Sequence, residues 1–534
     1  MDQHDTTSPA DEPEGAYLRG VRLFTVALGI ALSLFLTALE VSIVSTSLVT
    51  ITNDLQGFDH SSWVITSYLL TYTGFLMIWS KCGDIFGVKP SLLASLFVFI
   101  AFSGGCGGAQ TLNQLIICRA FQGVGAAGVY TLTLFSFVRI VPLAKYDLIA
   151  AIAAVILALG LVLGPLFGGA IDESGHWRWV FLLNLPAGAL AWALLFIAMP
   201  SHFPYAPSYE EKIDSFWQKQ RAFFRRVDFL GAFLVLAASM LIIAALQEGN
   251  LDYQWSSGAI ITLIALSGVL WLVFVAWEWF ISHRQTQIEP MLPWRMAKNR
   301  IFLGVALYVG FLLTGAPLTI CVIELPQRYQ TVNQSSAIGA GVKLLAYAVS
   351  NPIGTISCSI LVGRLKVPFA YVIFVGAALQ AVGLFLLSTI PTTTDLWLGQ
   401  FGYTVLAGLG VGMCAAAFYI MVPIVVDKQD QSISLGTGLQ LRMLGSALGV
   451  SIATTIMNSH LKSSLRSVLS SKQLDALLDT AEAIAQLAPE MQETVRVAYA
   501  EAYNQQMKAA GGFSLAQLLS LVLMWKREPV RLIK

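Results

Sequence analysis

The stretch GLVLGPLFGG, from Gly160 to Gly169, places four glycines and one proline inside an aliphatic run. Gly160, Gly164 and Gly168 recur every four residues, so they would share one face of a helix. Glycine and proline are the poorest helix formers in water. In lipid, however, helices associate by close packing at small residues. The stretch therefore predicts a transmembrane helix with a close-packed glycine face, in which Pro165 allows a bend.

The composition of the chain indicates that lipid is its solvent. Of its 534 residues, 56% are hydrophobic and only 12% are charged, whereas soluble domains carry about 25% charged residues. Most of the long apolar stretches reach the roughly 20 residues that cross a bilayer. We identify fourteen of them: 22–48, 61–80, 91–109, 113–138, 147–171, 177–199, 229–247, 257–281, 301–325, 337–361, 368–389, 396–424, 434–458 and 508–525. We therefore predict an all-α polytopic membrane protein with fourteen transmembrane helices.

The basic residues predict the orientation of the chain. Lysine and arginine concentrate at both termini and in alternate loops, and among the other short loops only Arg178 and Arg328 stand out. The positive-inside rule then places both termini in the cytoplasm, which agrees with an even number of spans. We expect the plasma membrane as the location, with the vacuolar membrane as the alternative.

The apolar stretches group into two six-helix bundles and two extra central helices. Transporters use this plan, with the substrate path between the halves. We expect the polar segment 459–507 to form a solvated surface helix, or alternatively to cap an outer vestibule. The predicted order is a disordered cytosolic tail (1–20), the first bundle (21–200), a cytosolic loop (201–228), the extra helices (229–282), five helices of the second bundle (300–458), the extracellular helical loop (459–507), the last span (508–525) and a cytosolic tail (526–534).

A carboxyl group lies deep in the first span. Ser33, Thr37, Glu40, Val44 and Ser47 follow helical spacing, and four of these five side chains are polar. Because charge in lipid is costly, this stripe is expected to face water or substrate. A carboxyl in such a place can bind a proton reversibly. The alternative is a structural carboxyl that is paired across the bundle.

A second charge begins a polar face in the fourth span, where Arg119, Gln122 and Tyr130 align. A guanidinium close to Glu40 could hold the carboxylate after its proton leaves. Glu40, Arg119 and Gln122 are therefore the predicted coupling residues. An arginine that snorkels to the outer interface is the alternative.

Other charges inside the spans favour a structural interpretation. Arg442 shares its predicted helix face with Gly438, Gly445 and Gly449, which are typical of helix packing. We therefore expect Arg442 to pair nearby, and keep it with Tyr130 as a candidate cavity residue. Three acidic residues lie near predicted helix ends, where solvation is expected: Glu248, Glu278 and Glu324.

The opening stretch resembles the antiporter motif of the major facilitator superfamily, in which Gly160, Gly164, Pro165, Gly168 and Gly169 match. In that family the motif marks proton-coupled exporters, and it is thought to seal the binding site against leak. The resemblance implies two six-helix bundles that rock around a central cavity.

A second stretch, SKCGDIFGVK, resembles the cytoplasmic gating motif of the same family. Asp84, Gly87 and Lys89 match the motif, whereas Ser80 and Val88 replace a glycine and an arginine. The resemblance implies a gating loop whose charge network is weakened.

Three further stretches are similar to the fourteen-span drug:proton antiporters. LEVSIVSTSL carries Glu40 where the span-1 motif normally has aspartate, and RAFQGVGAAG matches the span-4 motif at Arg119, Gln122 and Gly123. The arginine of that motif is tied to proton transfer in the family. HWRWVFLLNLPAG, residues 176–188, resembles the sixth span of fungal multidrug and toxin efflux pumps.

These patterns predict proton-coupled export of amphipathic organic compounds, such as a toxin, secondary metabolite or drug, by alternating access. Uptake of a nutrient or an iron chelate is the alternative. Because HExxH, GxSxG and phosphate-binding motifs are absent from the sequence, we expect neither an enzyme nor a metal site. The expected partners are protons, a small organic substrate and the bilayer, without a cofactor. We expect a monomer, and the net charge of +1 gives no indication of nucleic-acid binding.

One glycosylation sequon, Asn333-Gln334-Ser335, falls in a loop that the charge rule places outside. Asn333 is therefore a predicted glycosylation site, and an unused sequon close to the membrane is the alternative.

Overall fold

The computed structural model describes residues 18–55, 61–140, 146–200, 203, 224–249, 253–284, 288, 290, 295–426, 431–479, 484 and 487–524. Within these ranges the chain is almost entirely helical, which confirms the predicted all-α class. Most of the predicted N-terminal tail, most of the loop 201–228 and the tail 526–534 lie outside the described residues.

Sixteen α-helices follow one another along the described chain. The first group is α1 (Gly20–Leu55), α2 (Ser61–Phe86), α3 (Val88–Gly107), α4 (Leu112–Arg139), α5 (Tyr146–Glu173), α6 (Trp179–Leu182) and α7 (Asn184–Ala198). A pair follows, α8 (Phe229–Glu248) and α9 (Gly258–His283). The last group is α10 (Arg295–Thr331), α11 (Ala337–Gly363), α12 (Phe369–Leu387), α13 (Gln400–Val425), α14 (Gln431–Leu465), α15 (Ser471–Asp479) and α16 (Pro489–Ser520).

Twelve segments of the described chain are long and apolar enough to cross a membrane. The predicted span 61–80 lies on α2, and residues 508–520 of the last predicted span lie on α16; both are long helices outside those twelve. The total of fourteen spans therefore stays a prediction.

The helices pack into two lobes. In the N-lobe (α1–α7), α1 packs along α5, and α2 and α3 pack along α4. In the C-lobe (α10–α16), α10 packs along α14, and α11 and α12 pack along α13. The lobes meet mainly where α5 contacts α11 and where α2 contacts α14. A site between the lobes is therefore bordered by these four helices.

The pair α8 and α9 lies beside the lobe junction. The two helices pack on each other, and α8 also contacts α2 and α14. Along α9 most of the large apolar side chains are exposed in the chain, including Leu272 and Trp279. Such an apolar outer face is suited to lipid contact.

The polar segment 459–507 is partly buried, which corrects the expectation of a solvated surface helix. Leu477 from α15 and Val495 and Tyr499 from α16 join a cluster with Leu461 and Leu465 from α14. The apolar face of each helix packs against the C-lobe because it would otherwise be exposed to water. From Pro489, α16 continues without a break into the last predicted span.

A candidate proton-coupling site

The glycine face of α5 packs against α1. A Cβ atom added to Gly164 would lie 1.9 Å from Ser42 Oγ, and one added to Gly160 would lie 2.6 Å from Ala38 Cβ. Ser42 Oγ donates a hydrogen bond of 3.0 Å to the Gly160 carbonyl oxygen. Glycine is therefore required here by the close approach of two backbones, at the level of Glu40 on α1.

Another face of α5 contacts the C-lobe. A Cβ atom added to Gly341 of α11 would lie 3.3 Å from Pro165 Cβ. Pro165, Gly168 and Gly169 are all buried. Helix α5 thus joins α1 to the opposite lobe, so its motif lies at the junction of the two lobes.

The three predicted coupling residues meet in the interior of the N-lobe. Arg119 Nη1 donates to Glu40 Oε1 at 2.5 Å and to Gln122 Oε1 at 2.7 Å. Arg119 Nε donates to the Val64 carbonyl oxygen at 3.1 Å. The side chains of Glu40 and Arg119 are 0% and 1% exposed. Arg119 therefore does not snorkel, and the pair is closed to water in this conformation.

Two residues of this network were missed by the sequence interpretation. Asn184 Nδ2 donates to Glu40 Oε2 and, at 2.9 Å, to Ser103 Oγ. Gln122 Nε2 donates to the same hydroxyl at 2.8 Å. Asn184 lies in the stretch 176–188, where an amide inside an apolar span was the available signal. Each carboxylate oxygen of Glu40 thus accepts a hydrogen bond, as a buried charge requires.

The polar stripe of α1 faces protein, which corrects the expectation of water or substrate. Ser33, Thr37, Glu40, Val44 and Ser47 are all buried. Ser33 and Thr37 donate their hydroxyls to carbonyl oxygens one turn earlier on α1. Their polarity is therefore satisfied within the helix, while Glu40 is satisfied across the lobe.

A row of aromatic rings leads from this network to the lobe junction. The Arg119 guanidinium lies 4.2 Å from the centre of the Tyr68 ring. The ring centres of Tyr68 and Tyr72 are 5.7 Å apart, and those of Tyr72 and Tyr130 are 5.9 Å apart. The Tyr68 hydroxyl is buried without a hydrogen-bond partner among the described residues. Buried tyrosines thus connect the ion pair to the region between the lobes.

The candidate cavity residues Tyr130 and Arg442 lie near each other at that junction. Arg442 Nη1 donates to the Tyr419 hydroxyl at 2.5 Å. Tyr419 and Arg442 are both within electrostatic reach of Tyr130. The predicted glycine packing also occurs, because a Cβ atom on Gly445 would lie 1.9 Å from the Leu312 carbonyl oxygen. Helix α14 therefore packs on α10 through a glycine, whereas the Arg442 guanidinium contacts Tyr419 on α13.

The gating-motif residues lie at one end of the N-lobe. Gly87 has φ +97°, which favours glycine, and it separates α2 from α3. Lys89 Nζ donates to the carbonyl oxygens of Phe196 and Met199 at 2.8 and 2.6 Å, where a cation complements the end of α7. Asp84 is exposed beside a cleft at the junction with α14. That cleft is also lined by Ser80, Gly83, Val88, Thr131, Leu132, Leu134, Phe135, Leu435, Gly436 and Leu439.

Two of the three acidic residues that were expected to be solvated are buried. Glu278 is 0% exposed beside the start of α8, and Glu324 is 4% exposed inside the C-lobe. Glu248 is half-buried and accepts a hydrogen bond of 3.2 Å from Trp63 Nε1. Helix α9 continues to His283 and α10 continues to Thr331, so Glu278 and Glu324 do not lie at helix ends.

The sequon asparagine is half-buried at the start of the loop after α10. Asn333 Nδ2, the atom to which a glycan would attach, donates to the Thr394 carbonyl oxygen at 3.0 Å. A glycan therefore requires that this hydrogen bond is absent, and glycosylation stays a prediction.

The two-lobe helical fold around a buried ion pair defines the class of the protein as a multi-pass membrane transporter. The chain belongs to the major facilitator superfamily, whose profile, described as Major Facilitator Superfamily, matches residues 30–323. The family resemblance and the expectation that the chain is a transporter rather than an enzyme are thereby confirmed.

Relatives with similar sequences include fungal transporters. The chain is 42% identical to the MFS-type transporter FPY5 of Fusarium mangiferae, over 96% of this chain and 85% of that protein. It is 30% identical to the aspyridones efflux protein of Neocamarosporium betae, over 84% of this chain and 76% of that protein.

Among solved structures, a bacterial homologue of the human lysosomal transporter Spinster, in an inward-facing and unoccupied conformation, matches with a TM-score of 0.65. The match covers 96% of this chain and all of that chain at 15% identity. It therefore shows a shared fold.

Proposed function

We propose that the protein exports amphipathic organic compounds in exchange for protons. The observation that supports this most directly is the buried pair Glu40–Arg119, which is held by Gln122 and Asn184 and closed to water. Relatives that are named as efflux proteins support the outward direction.

Protonation of Glu40 would change the contacts among three helices. The carboxylate on α1 binds Arg119 on α4 and Asn184 on α7. A proton on either oxygen neutralises the carboxylate, so the site changes from no net charge to one positive charge. Arg119 then loses its buried counter-charge, which is costly at low dielectric. The packing of α1, α4 and α7 is therefore sensitive to a single proton.

The seam between α1 and α5 would keep this exchange free of leak. The contacts of Gly160 and Gly164 leave no room for a methyl group beside Ala38 and Ser42. A proton can then reach Glu40 only when the lobes change their arrangement, which is what alternating access requires.

One proton per cycle would support useful accumulation. A membrane potential of 100 mV contributes about 2.3 kcal/mol per charge. A pH difference of one unit adds about 1.4 kcal/mol. Because about 1.4 kcal/mol corresponds to a tenfold ratio, the sum of about 3.7 kcal/mol supports a gradient of several hundred-fold.

The remaining assignments belong to the same proposal. The arrangement of basic loops supports cytoplasmic termini. Export from the cell favours the plasma membrane as the location. We expect one chain to be sufficient for transport, because the two lobes that border the cleft belong to the same polypeptide.

The test is transport in proteoliposomes with an imposed pH gradient, for Glu40→Gln and for the unmodified protein. The cargo is a compound that accumulates in the medium only when cells carry the gene, found by comparing metabolites in medium and cells. Glu40→Gln should abolish gradient-driven transport but retain exchange of labelled for unlabelled cargo. Glu248→Gln on α8 is the matched control. Gradient-driven transport that is unchanged by Glu40→Gln would remove this carboxyl from the mechanism.

A further inference from the structure

We propose that Arg442 forms a binding site for the acidic group of an organic anion, so that the exported compound is an acid with an apolar body. This inference rests on the proposed export function and names the substrate class of the site between the lobes. Its basis is a set of guanidinium donors that the described part of the chain leaves unused, surrounded by tyrosines from both lobes.

The hydrogen bonds of Arg442 use only one edge of its guanidinium. Nη1 donates to the Tyr419 hydroxyl at 2.5 Å. Nε is buried without a partner, and Nη2 makes no hydrogen bond with the described part of the chain. The Nε and Nη2 groups together match the two oxygens of a carboxylate. The free edge therefore has the shape of an oxyanion site.

Among the described residues Arg442 also lacks a counter-charge. Across the described residues no carboxylate lies within 4 Å of it, whereas Arg119 is paired with Glu40. A charge in a low-dielectric interior is stable only when it is paired and hydrogen-bonded. A bound anion would supply the missing partner, so Arg442 is better suited to a ligand than to packing.

The surroundings of Arg442 favour an apolar body on that anion. Tyr72 and Tyr130 from the N-lobe lie within electrostatic reach of the guanidinium, together with Tyr419 from the C-lobe. Tyr347, also from the C-lobe, lies within electrostatic reach of the same guanidinium, and its hydroxyl is buried. The rings offer stacking surface, and the hydroxyls can donate to an oxyanion.

Arg442 lies close to the cleft at the lobe junction. Arg442 is half-buried, unlike Arg119, which is 1% exposed. Leu439, one turn earlier on α14, lines the cleft beside Asp84 and Thr131. The cleft therefore lies within one turn of Arg442 along α14 and next to Tyr130 along α4, at the junction of the lobes.

The experiment uses the purified full-length protein in detergent micelles and isothermal titration calorimetry at pH 7.5. Three pairs of probes differ only in charge: naphthalene-2-carboxylate, cinnamate and decanoate, each against its primary amide. Hydrogen bonds to a charged group predict that at least one acid binds roughly 10- to 100-fold tighter than its amide. Equal binding of acid and amide in all three pairs, or no binding of any acid, would overturn the proposal.

Variants assign the preference to Arg442. Arg442→Gln should remove the preference for the acid, Arg442→Lys should keep part of it, and Arg466→Gln, an exposed cation, should leave it intact. A preference that survives Arg442→Gln would refute the assignment. If Arg442→Gln does not fold, Tyr347→Phe replaces it, with an expected severalfold loss of acid affinity, and unchanged affinity in that variant counts against the site.

A second comparison separates this proposal from the proposed export mechanism. Glu40→Gln should lose gradient-driven transport but retain the preference for acid over amide. If the unmodified protein shows no dependence on the proton gradient while the acid preference depends on Arg442, the coupling mechanism fails and the anion site stands. If coupling depends on Glu40 but no acid is preferred, the anion site fails alone.

Discussion

The two lobes are built around different polar cores. The N-lobe buries an ion pair, Glu40–Arg119, whereas two fully buried contacts between helices of the C-lobe join neutral groups. In the C-lobe, Gln380 Nε2 donates to Ser514 Oγ at 2.6 Å, and Gln517 Nε2 donates to Thr314 Oγ1 at 3.0 Å. Neutral amides do not change charge with pH, so a proton can alter the first core much more than the second.

The C-lobe also buries two charged residues, Arg328 and Glu324. Arg328 donates to Asn504 Oδ1 at 2.7 Å and to the Pro391 carbonyl oxygen at 3.2 Å, which joins α10 to α16 and to the loop after α12. Glu324, one turn earlier, faces Gln506. Within the described chain these charges bind neutral groups, which indicates a structural role rather than an exchangeable pair.

The largest expected effect comes from breaking the charged core. Arg119→Ala leaves the carboxylate of Glu40 buried without its counter-charge, which should lower the free energy of unfolding by about 3–5 kcal/mol. Equilibrium unfolding in mixed detergent micelles measures the change. Glu40→Gln added to Arg119→Ala should recover part of the loss, because it removes the unpaired charge. Strictly additive effects in this double-mutant cycle would mean that the two side chains are not coupled.

Alanine in place of a close-packed glycine should lower the stability of the protein by a similar amount in either lobe, but only the N-lobe variant should change proton leak. Gly164→Ala and Gly445→Ala each place a methyl group 1.9 Å from an oxygen atom, so each should cost about 1–3 kcal/mol of folding free energy. Only Gly164→Ala displaces α1 beside Glu40, and it alone should increase proton leak in pyranine-loaded proteoliposomes. Gly268→Ala on α9, with nothing within 4 Å, is the control. Equal leak from both seam variants would erase the distinction between the lobes.

The smallest expected effect comes from the neutral core. Gln517→Leu removes one hydrogen bond to Thr314, whose hydroxyl still donates to the Gly310 carbonyl oxygen at 2.6 Å. The loss should be about 1 kcal/mol in unfolding free energy, since a neutral hydrogen bond contributes about that much. The dependence of transport on pH should not change. A shifted pH profile in this variant would show that the C-lobe also takes part in coupling.

Helical spacing was sufficient to predict the first members of the charged core. Glu40, Arg119 and Gln122 stood out because charges inside apolar spans are rare, and the interior of a bundle is where they are stable. Asn184 and Ser103 were not predicted as partners, since their roles depend on how α7 and α3 pack beside α1. Periodicity along one helix carries no information about such contacts between helices.

Arg442 shows a second limit of the same reasoning. The glycines on α14 correctly predicted close packing, but that pattern did not predict which residues surround the Arg442 guanidinium. An arginine side chain is long enough to end away from the face on which its Cα lies. Its neighbours Tyr72 and Tyr130 come from the other lobe, so only the folded chain brings them together.

The unbroken course of α16 has a mechanical consequence. Its 32 residues correspond to a rod of about 48 Å. Since the half of α16 that begins at Pro489 packs against α14 and α15, any tilt of the C-lobe would move these three helices together. An antibody fragment bound to this part of α16 should therefore slow the proposed export without contacting the path of the exported compound.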